Sequence, residues 1–506
     1  MDREHTISGS RAAADQNATP LIDALQAFAS AEPAYFRIPA HRFSRGVDER
    51  LKDLLGENVF RADLTEAEGL DDLHAASGVI AEAEQLAARL WGSEECHFLI
   101  NGSTCGNEAM LLACLKPGEK ILLARNVHKS VLMGLVLSGA VPVWIQPEIL
   151  PGEELDGPVT AETVEKALVE EPECRAVMLV SPTYYGICSP LKEIAAVCHE
   201  RNIPLLVDEA HGSHLYFMED APCGAIRAGA DLVVQSIHKT GGSMTQSSLL
   251  HVQYDRIDRN RLKDSLTMVM STSPSYVLMA SLDGARHQLA IRGKELTGNA
   301  RRLAELCRKE LRNISGIHVL DPVSGDPLRV VFSAKDCGLS GDCLQEMMYR
   351  SEGVSLELSD PVYAVAVITW GNTKKDIKRF VQAVRDAAEA GRFRISAESA
   401  EFPDVHKNGT VQNDSWASGN TGHFHPAAVC SPREAWYAEK TVASLEQCIG
   451  KTAAESVIPY PPGIPVLYPG ERITREVLEQ LKQIRKKQIP LHGPADPSLL
   501  TLQILK

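Results

Sequence analysis

The sequence of 506 residues lacks any long hydrophobic run, any excess of positive charge and any paired cysteine motif. No stretch approaches the roughly 18 apolar residues that a membrane span needs, so no membrane segment is expected. The net charge of −14 provides no basic surface for nucleic acid or anionic lipid. The twelve cysteines are scattered without a C-x-x-C pair, which predicts reduced thiols and a cytoplasmic location.

Motifs for two other classes of site are incomplete. Asp208-Glu209-Ala210-His211 resembles the acidic motif of a helicase class, but no G-x-x-x-x-G-K-[ST] precedes it. Gly450-Lys451-Thr452 lacks the first glycine of that motif and lies far downstream. His211 and His214 are three residues apart, but no further ligands at suitable spacing accompany them. We therefore expect neither an ATPase nor a metal site.

Short apolar runs alternate with segments of helical length between about residues 80 and 255. This alternation predicts a mainly parallel sheet with helices on both faces. In such sheets ligands bind beyond the carboxyl ends of the strands. The runs predicted to be strands are residues 97–100, 121–124, 177–181, 204–208 and 232–236.

A chain of this length is expected to form more than one domain. Residues 396–430 are rich in Asn, Ser, Gly and His, which predicts a linker. The proline-rich residues 459–465 cannot be helical, so they predict a rigid extended segment. The expected units are a flexible tail (1–19), an N-terminal segment (20–80), a large cofactor-binding domain (81–320), a small α/β domain (321–395), the linker (396–430) and a C-terminal domain (431–506).

Two strand ends contain the strongest candidates for a cofactor site. Lys239 comes directly after one predicted strand, and Asp208 ends another. Lysine is rarely buried without a function or partner, and a buried carboxylate needs a partner that offsets its desolvation. The pair suits an aldehyde cofactor held by lysine as a Schiff base, which makes pyridoxal phosphate (PLP) the leading interpretation. A solvated lysine and a structural salt bridge are the alternatives.

Two further segments suit other parts of such a cofactor. Residues 101–107 follow a predicted strand and open a helix, so backbone N–H groups and the hydroxyls of Ser103 and Thr104 can bind a phosphate. An ordinary Ser/Thr helix cap is the alternative. His128 follows the next strand, where an imidazole can lie flat on a pyridine ring. A structural histidine is the alternative for that residue.

Further motifs follow in a fixed order along most of the chain. They are residues 63–66 with 70–74, 101–104, 125–130, 181–186, 208–212, 236–240 with Gln246, 272–276, 431–435, 459–465 and 469–471. In this order they resemble the bacterial-type Orn/Lys/Arg decarboxylase family of PLP-dependent enzymes. The resemblance implies an aspartate-aminotransferase-like α/β fold (PLP fold type I), with a mainly parallel seven-stranded sheet, helices on both faces and smaller α/β C-terminal domains.

The resemblance also implies roles toward the cofactor. Lys239 would form the Schiff base and Asp208 would pair with the pyridine nitrogen. His128 would stack on one face of the ring, and Ala210 would pack against the other. The groups that would hold the phosphate are Ser103, Thr104, Ser236 and His238.

Roles toward the substrate and a second subunit follow from the same resemblance. Lys239 or His211 would return a proton to the α-carbon. Glu357 is the candidate for binding the distal cation of the substrate, with a solvated surface carboxylate as the alternative, and Thr183 is a second candidate for a substrate contact. Thr272 or Ser273 would reach the site of a neighbouring subunit, so shared active sites are expected.

The implied reaction is α-decarboxylation of arginine, lysine or ornithine for polyamine or diamine biosynthesis, with arginine slightly favoured. The chain has Pro39-Ala40-His41-Arg42 where Pro-Gly-His-Lys is usual in the family. It resembles the short members without an N-terminal wing domain, so a homodimer or tetramer is expected rather than a decamer. Transamination, β-elimination and a non-catalytic regulatory role are the alternatives left open.

Overall fold

The computed structural model describes residues 15–321, 325–401, 426–460 and 463–506. Its largest sheet has seven strands in the order β1-β7-β6-β5-β4-β2-β3. These strands are β1 (Glu95–Leu99), β2 (Lys120–Ala124), β3 (Val141–Ile145), β4 (Cys174–Val180), β5 (Leu205–Asp208), β6 (Leu232–Gln235) and β7 (Ser248–Val252).

The predicted mainly parallel, seven-stranded sheet is confirmed. Strands β2 to β6 pair in parallel, whereas β7 runs antiparallel to both β6 and β1. The five predicted strands correspond to β1, β2, β4, β5 and β6. Strands β3 and β7 lack the clear apolar run, because Pro142 interrupts β3 and the buried Ser248 and His251 interrupt β7.

Helices connect these strands and enclose one hydrophobic core with them. The first twelve helices are α1 (Pro20–Ser30), α2 (Glu49–Leu55), α3 (Glu57–Ala62), α4 (Val79–Trp91), α5 (Gly102–Cys114), α6 (Lys129–Ser138), α7 (Ala161–Glu170), α8 (Leu191–Glu200), α9 (Ala225–Ala228), α10 (Ile237–Thr240), α11 (Arg259–Val269) and α12 (Tyr276–Arg312). The chain ahead of α1 is anchored, since Arg286 donates hydrogen bonds to the carbonyls of Gln16 and Ala18. Residues 16–18 of the predicted tail are therefore anchored to α12, and residues 1–14 lie outside the described residues.

The long helix α12 leads into a small domain with its own core. This domain has a four-stranded sheet in the order β10-β11-β9-β8. Its elements are β8 (His318–Val319), β9 (Arg329–Ser333), α13 (Gly341–Glu352), β10 (Leu358–Ser359), β11 (Ala364–Val367) and α14 (Lys374–Glu401). Helix α14 continues six residues into the segment expected to be a linker, and residues 402–425 of that segment lie outside the described residues.

A third core belongs to the C-terminal domain. Its elements are α15 (Pro432–Tyr437), β12 (Lys440–Ser444), β13 (Ile458–Pro459), α16 (Arg475–Lys486), β14 (Leu491–His492) and β15 (Thr501–Leu505). Across the described ranges, no helix combines the length and the apolar character needed to cross a bilayer.

Candidate active site

A cavity of about 520 Å³ lies beyond the carboxyl ends of the central parallel strands. This is where ligands bind in open α/β sheets. Ten of the residues singled out from the sequence line it, namely Ser103, Thr104, His128, Asp208, Ala210, His211, Ser236, His238, Lys239 and Glu357.

Lys239 lies on the short helix α10, directly after β6, and its amine faces the cavity. The Nζ atom lies 3.0 Å from Nε2 of His211 and 5.5 Å from the centre of the Tyr184 ring. Burial lowers the pKa of the Lys239 amine, an effect that Asp208 partly opposes. A larger fraction of the amine is therefore unprotonated near neutral pH, which is the form that attacks a carbonyl.

Asp208 ends β5 and is 4% exposed. Its Oδ2 accepts a hydrogen bond from Asn107 (2.8 Å), and its Oδ1 accepts one from the backbone N–H of Ala210 (3.1 Å). The buried ion pairs of the described residues are formed by other carboxylates, and Asp208 forms none with any described residue. A buried carboxylate of this kind fits the protonated pyridine nitrogen of PLP.

His128 is fixed at the start of α6, where its Nδ1 accepts a hydrogen bond from the backbone N–H of Ser130 (3.3 Å). Burial lowers the pKa of His128, so the ring is neutral. Asn107 donates hydrogen bonds to both Asp208 and the hydroxyl of Ser130 (2.8 Å each). The Ser130 hydroxyl is in turn hydrogen bonded to His128, so Asn107 connects His128 with Asp208. Asn107 closes the 101–107 motif, but only the fold shows that it points at Asp208.

The start of α5 fits a phosphate group. The helix begins at Gly102, which has a φ of +73°, and no side chain caps its first N–H groups. Ser103 lies inside the first turn, with its Oγ 2.7 Å from that of Ser236 and 3.2 Å from that of Ser248. The helix-cap alternative is wrong, since these hydroxyls cluster at an uncapped helix end, which favours an anion.

Three predicted residues lie outside the cavity lining. Thr183 belongs to a turn in which its Oγ1 accepts from the backbone N–H of Ile187 (3.2 Å), and its neighbour Tyr184 lines the cavity instead. Thr272 and Ser273 are exposed in the loop between α11 and α12. Contact of this loop with a neighbouring subunit remains a prediction.

Sequence reasoning missed two other residues at the site. Tyr460 brings the C-terminal domain to the cavity wall, with its ring stacked on His492 at 4.4 Å between centroids. The proline-rich segment around it was recognised as rigid, but its position over the site depends on a tertiary contact. Arg329, at the start of β9, donates a hydrogen bond to Nδ1 of His211. Nothing in its local sequence indicates this contact.

A family model described as Orn/Lys/Arg decarboxylase, major domain, matches residues 19–332, and the corresponding C-terminal domain model matches residues 420–492. The chain is 36% identical to an arginine decarboxylase of Halalkalibacterium halodurans and 35% identical to one of Bacillus subtilis. Each alignment covers 97% of this chain and 98% of the relative. Lysine decarboxylase A from Pseudomonas aeruginosa has the same fold, with a TM-score of 0.80 at 22% identity over 96% of this chain and 80% of that chain.

The cofactor-binding groups alone are compatible with several reactions of PLP enzymes. The family matches cover most of the described chain, including the C-terminal domain, and they separate decarboxylation from transamination and β-elimination. PLP is the cofactor of the matched family, and the groups described above fit it. The chain thus belongs to the Orn/Lys/Arg decarboxylase family and is a PLP-dependent decarboxylase of a basic amino acid.

Proposed function

We propose that the substrate is L-arginine and that the products are agmatine and CO₂. The observation that supports this choice is the exposed carboxylate of Glu357 on the cavity wall. Glu357 forms no ion pair with any described residue, so its carboxylate is available to a cation. A guanidinium group offers a carboxylate two parallel hydrogen bonds, whereas an ammonium acts as a point charge. The arginine decarboxylases among the relatives support the same choice.

Each side chain at the cavity has a task in this reaction. PLP, when bound, accepts the electron pair that remains at the α-carbon after CO₂ leaves. Asp208 would hold the proton on the pyridine nitrogen, because its carboxylate is buried and forms no ion pair with any described residue. The neutral His128 ring would pack on the cofactor and exclude water, and the Lys239 amine would serve as nucleophile and later as proton donor.

A panel of basic amino acids tests the assignment. Purified protein with added PLP is incubated with arginine, lysine or ornithine, and CO₂ and the amine product are quantified. Agmatine is expected to form with the largest kcat/KM. Faster formation of cadaverine or putrescine would reject arginine as the substrate while leaving the family assignment intact.

Replacing Glu357 with glutamine is expected to lower kcat/KM for arginine by about tenfold, mainly through KM. The substitution removes a charge-assisted hydrogen bond that contributes about 1.5 kcal/mol, and one such increment is about tenfold. Steady-state kinetics over a range of arginine concentrations measure the change. Glu389→Gln, at an exposed position of the same small domain, is the matched control. An unchanged KM in Glu357→Gln would show that another group binds the guanidinium.

We propose further that the chain works as a homodimer or a tetramer, with active sites shared between subunits. The exposure of residues 36–55, here called the N-terminal arm, supports this, because helix α2 in this arm buries none of its residues within the chain. Phe36 is 90% exposed, Leu54 77% and Ile38 64%. Exposed apolar residues concentrated in one segment are typical of a protein interface. A second copy would cover this arm and bring Thr272 or Ser273 to the site.

Hybrid dimers test the sharing of sites. Lys239→Ala and Ser273→Asp chains are each expected to be inactive, because one lacks the amine and the other places a negative charge beside the phosphate. Coexpression of the two chains is expected to restore part of the activity, since one site of each hybrid receives both native residues. Hybrids that sediment as dimers but remain inactive would contradict shared sites. Coexpression of Ser273→Asp with a chain that carries both substitutions is the control, because none of its hybrid sites receives both native residues.

The proposed setting is the cytoplasm, where the amine product would enter polyamine or diamine biosynthesis. All twelve cysteines are unpaired in the structure, which suits a reducing compartment. Cell fractionation combined with assays of agmatine formation tests this location.

A further inference from the structure

A buried chain of polar side chains begins at Lys239 and continues away from the cavity. His211 lies 3.0 Å from the lysine amine through Nε2, and its Nδ1 accepts a hydrogen bond from Nη2 of Arg329. Behind Arg329 lies Asp326, whose Oδ2 is 3.9 Å from the arginine Nε. His214 donates from Nε2 to Oδ1 of Asp326 at 2.8 Å. His211, Arg329, Asp326 and His214 are each no more than 3% exposed.

The chemistry of arginine determines the protonation state of His211. A guanidinium has only N–H donors and no acceptor, so Nδ1 of His211 must present its lone pair to Arg329. The single proton of the neutral ring therefore lies on Nε2, which faces Lys239. In an imidazolium, Nδ1 would also carry a proton, and that N–H would face the N–H of the guanidinium. The contact with Arg329 therefore excludes the protonated ring.

We infer that Arg329 is a positioning residue that locks His211 as a hydrogen-bond donor to Lys239 and thereby assigns the return of the proton to Lys239 alone. This inference deepens the proposed decarboxylation and rests on it. A neutral imidazole that gave up its Nε2 proton would become an anion, so His211 cannot serve as the acid. Instead, its N–H faces the lysine amine and favours the unprotonated form of that amine.

The proton transfer balances with the groups present. The substrate enters with a protonated α-amino group, and one of its protons passes to the lysine amine. The electron pair left at the α-carbon takes that proton, so a C–H bond forms, an N–H bond of Lys239 breaks and Nζ regains its lone pair. That lone pair again accepts the hydrogen bond from Nε2 of His211. When Lys239 is protonated, its N–H groups face the N–H of His211, and this unfavourable contact between two donors lowers the pKa of the lysine. The lysine is therefore a stronger acid for this step.

The electrostatic surroundings agree with this geometry. The titratable and charged groups that face His211 are Lys239, Arg329, His128, His238 and Tyr184. Burial, Lys239 and Arg329 hold the pKa of His211 well below its usual range, so the ring remains neutral throughout the working range. Asp326 balances the charge of Arg329 without contacting His211.

Histidine labelled with ¹⁵N in the imidazole tests the inference on the full chain, with and without PLP. The His211→Asn spectrum identifies the His211 signals by their absence. In the native protein we expect a proton on Nε2, a bare Nδ1 and no titration between about pH 5.5 and 8, which brackets the ordinary pKa of histidine. A His211 that titrates in this range, or that has its proton on Nδ1, would overturn the inference without any substitution at Arg329.

Two variants separate positioning from simple structural support. Arg329→Met removes every donor, so His211 is expected to titrate and the acidic limb of the kcat profile to move to higher pH. Arg329→Lys retains a donor and the charge, and it is expected to restore the Nε2–H tautomer and part of kcat. A higher KM for arginine with an unchanged His211 spectrum in Arg329→Met would identify Arg329 as a substrate ligand and reject the inference. The NMR result does not depend on which amino acid is consumed, so failure of the arginine assignment remains distinguishable.

Discussion

Replacement of Lys239 with alanine is expected to reduce kcat for decarboxylation by about 10³-fold or more. The variant loses the amine that binds the cofactor covalently and also the group that returns a proton to the α-carbon. Among the described residues that line the cavity, Lys239 is the only lysine, so none of them supplies a second amine there. Initial rates of CO₂ release at saturating substrate measure the loss.

A covalent label separates the loss of chemistry from the loss of fold. Borohydride reduction of the PLP-loaded protein is expected to fix the cofactor on the peptide containing Lys239, as seen by mass spectrometry, and to give no such peptide in Lys239→Ala. Lys294→Ala, at an exposed position on α12, should retain both the label and the activity. Label on a different lysine, or an active Lys239→Ala protein, would refute the assignment.

The second large effect concerns the attachment of the C-terminal domain. Arg125, one position after β2, is 1% exposed and forms two hydrogen bonds to Glu471, of which the one to Oε2 is 3.0 Å long. Its guanidinium carbon also lies 4.8 Å from the Trp144 ring and 4.5 Å from the Tyr468 ring. Glu471→Gln is expected to destabilise the protein by about 3–5 kcal/mol, because it leaves a buried guanidinium without its counter-charge.

Urea unfolding followed by circular dichroism measures this cost. Glu295→Gln is the matched control, since it breaks an ion pair with Arg292 in which both side chains are 56% exposed, and it should cost less than about 1 kcal/mol. Replacing both buried partners, as Arg125→Met with Glu471→Leu, is expected to recover much of the stability, because no charge then remains unpaired. Equal unfolding midpoints for Glu471→Gln and Glu295→Gln would show that the buried Arg125–Glu471 ion pair does not stabilise the attachment of the C-terminal domain.

The features that depend on short, continuous stretches of sequence were mostly predictable. Lys239 and Asp208 were identifiable because each follows a continuous apolar strand, and the carboxyl ends of parallel strands meet at one edge of the sheet. Strand β7 escaped prediction because its buried polar residues are satisfied by neighbours that no local pattern shows; for example, His251 is bonded to Ser93. The same limit applies to the part of the site formed by distant segments.

Arg329 and Tyr460 illustrate that limit. They lie 90 and 221 residues beyond Lys239, in different domains, yet both reach its surroundings. A motif search recognises residues close together in sequence, whereas these contacts depend on how three hydrophobic cores pack together. Thr183 is the converse case, because a candidate substrate contact lies outside the cavity lining while its neighbour Tyr184 lines it.

The place of Tyr460 in the cavity wall has a consequence for biosynthesis. Chains are made from the N-terminus, and domains fold largely in the order in which they emerge. The lysine, the aspartate and the phosphate-binding turn are complete in the first half of the chain, but one wall of their cavity comes from its last tenth. A ribosome-bound chain that has already formed its central sheet therefore still has an open site. We therefore expect fragments left by interrupted synthesis to lack this wall of the cavity, even when their central sheet has formed.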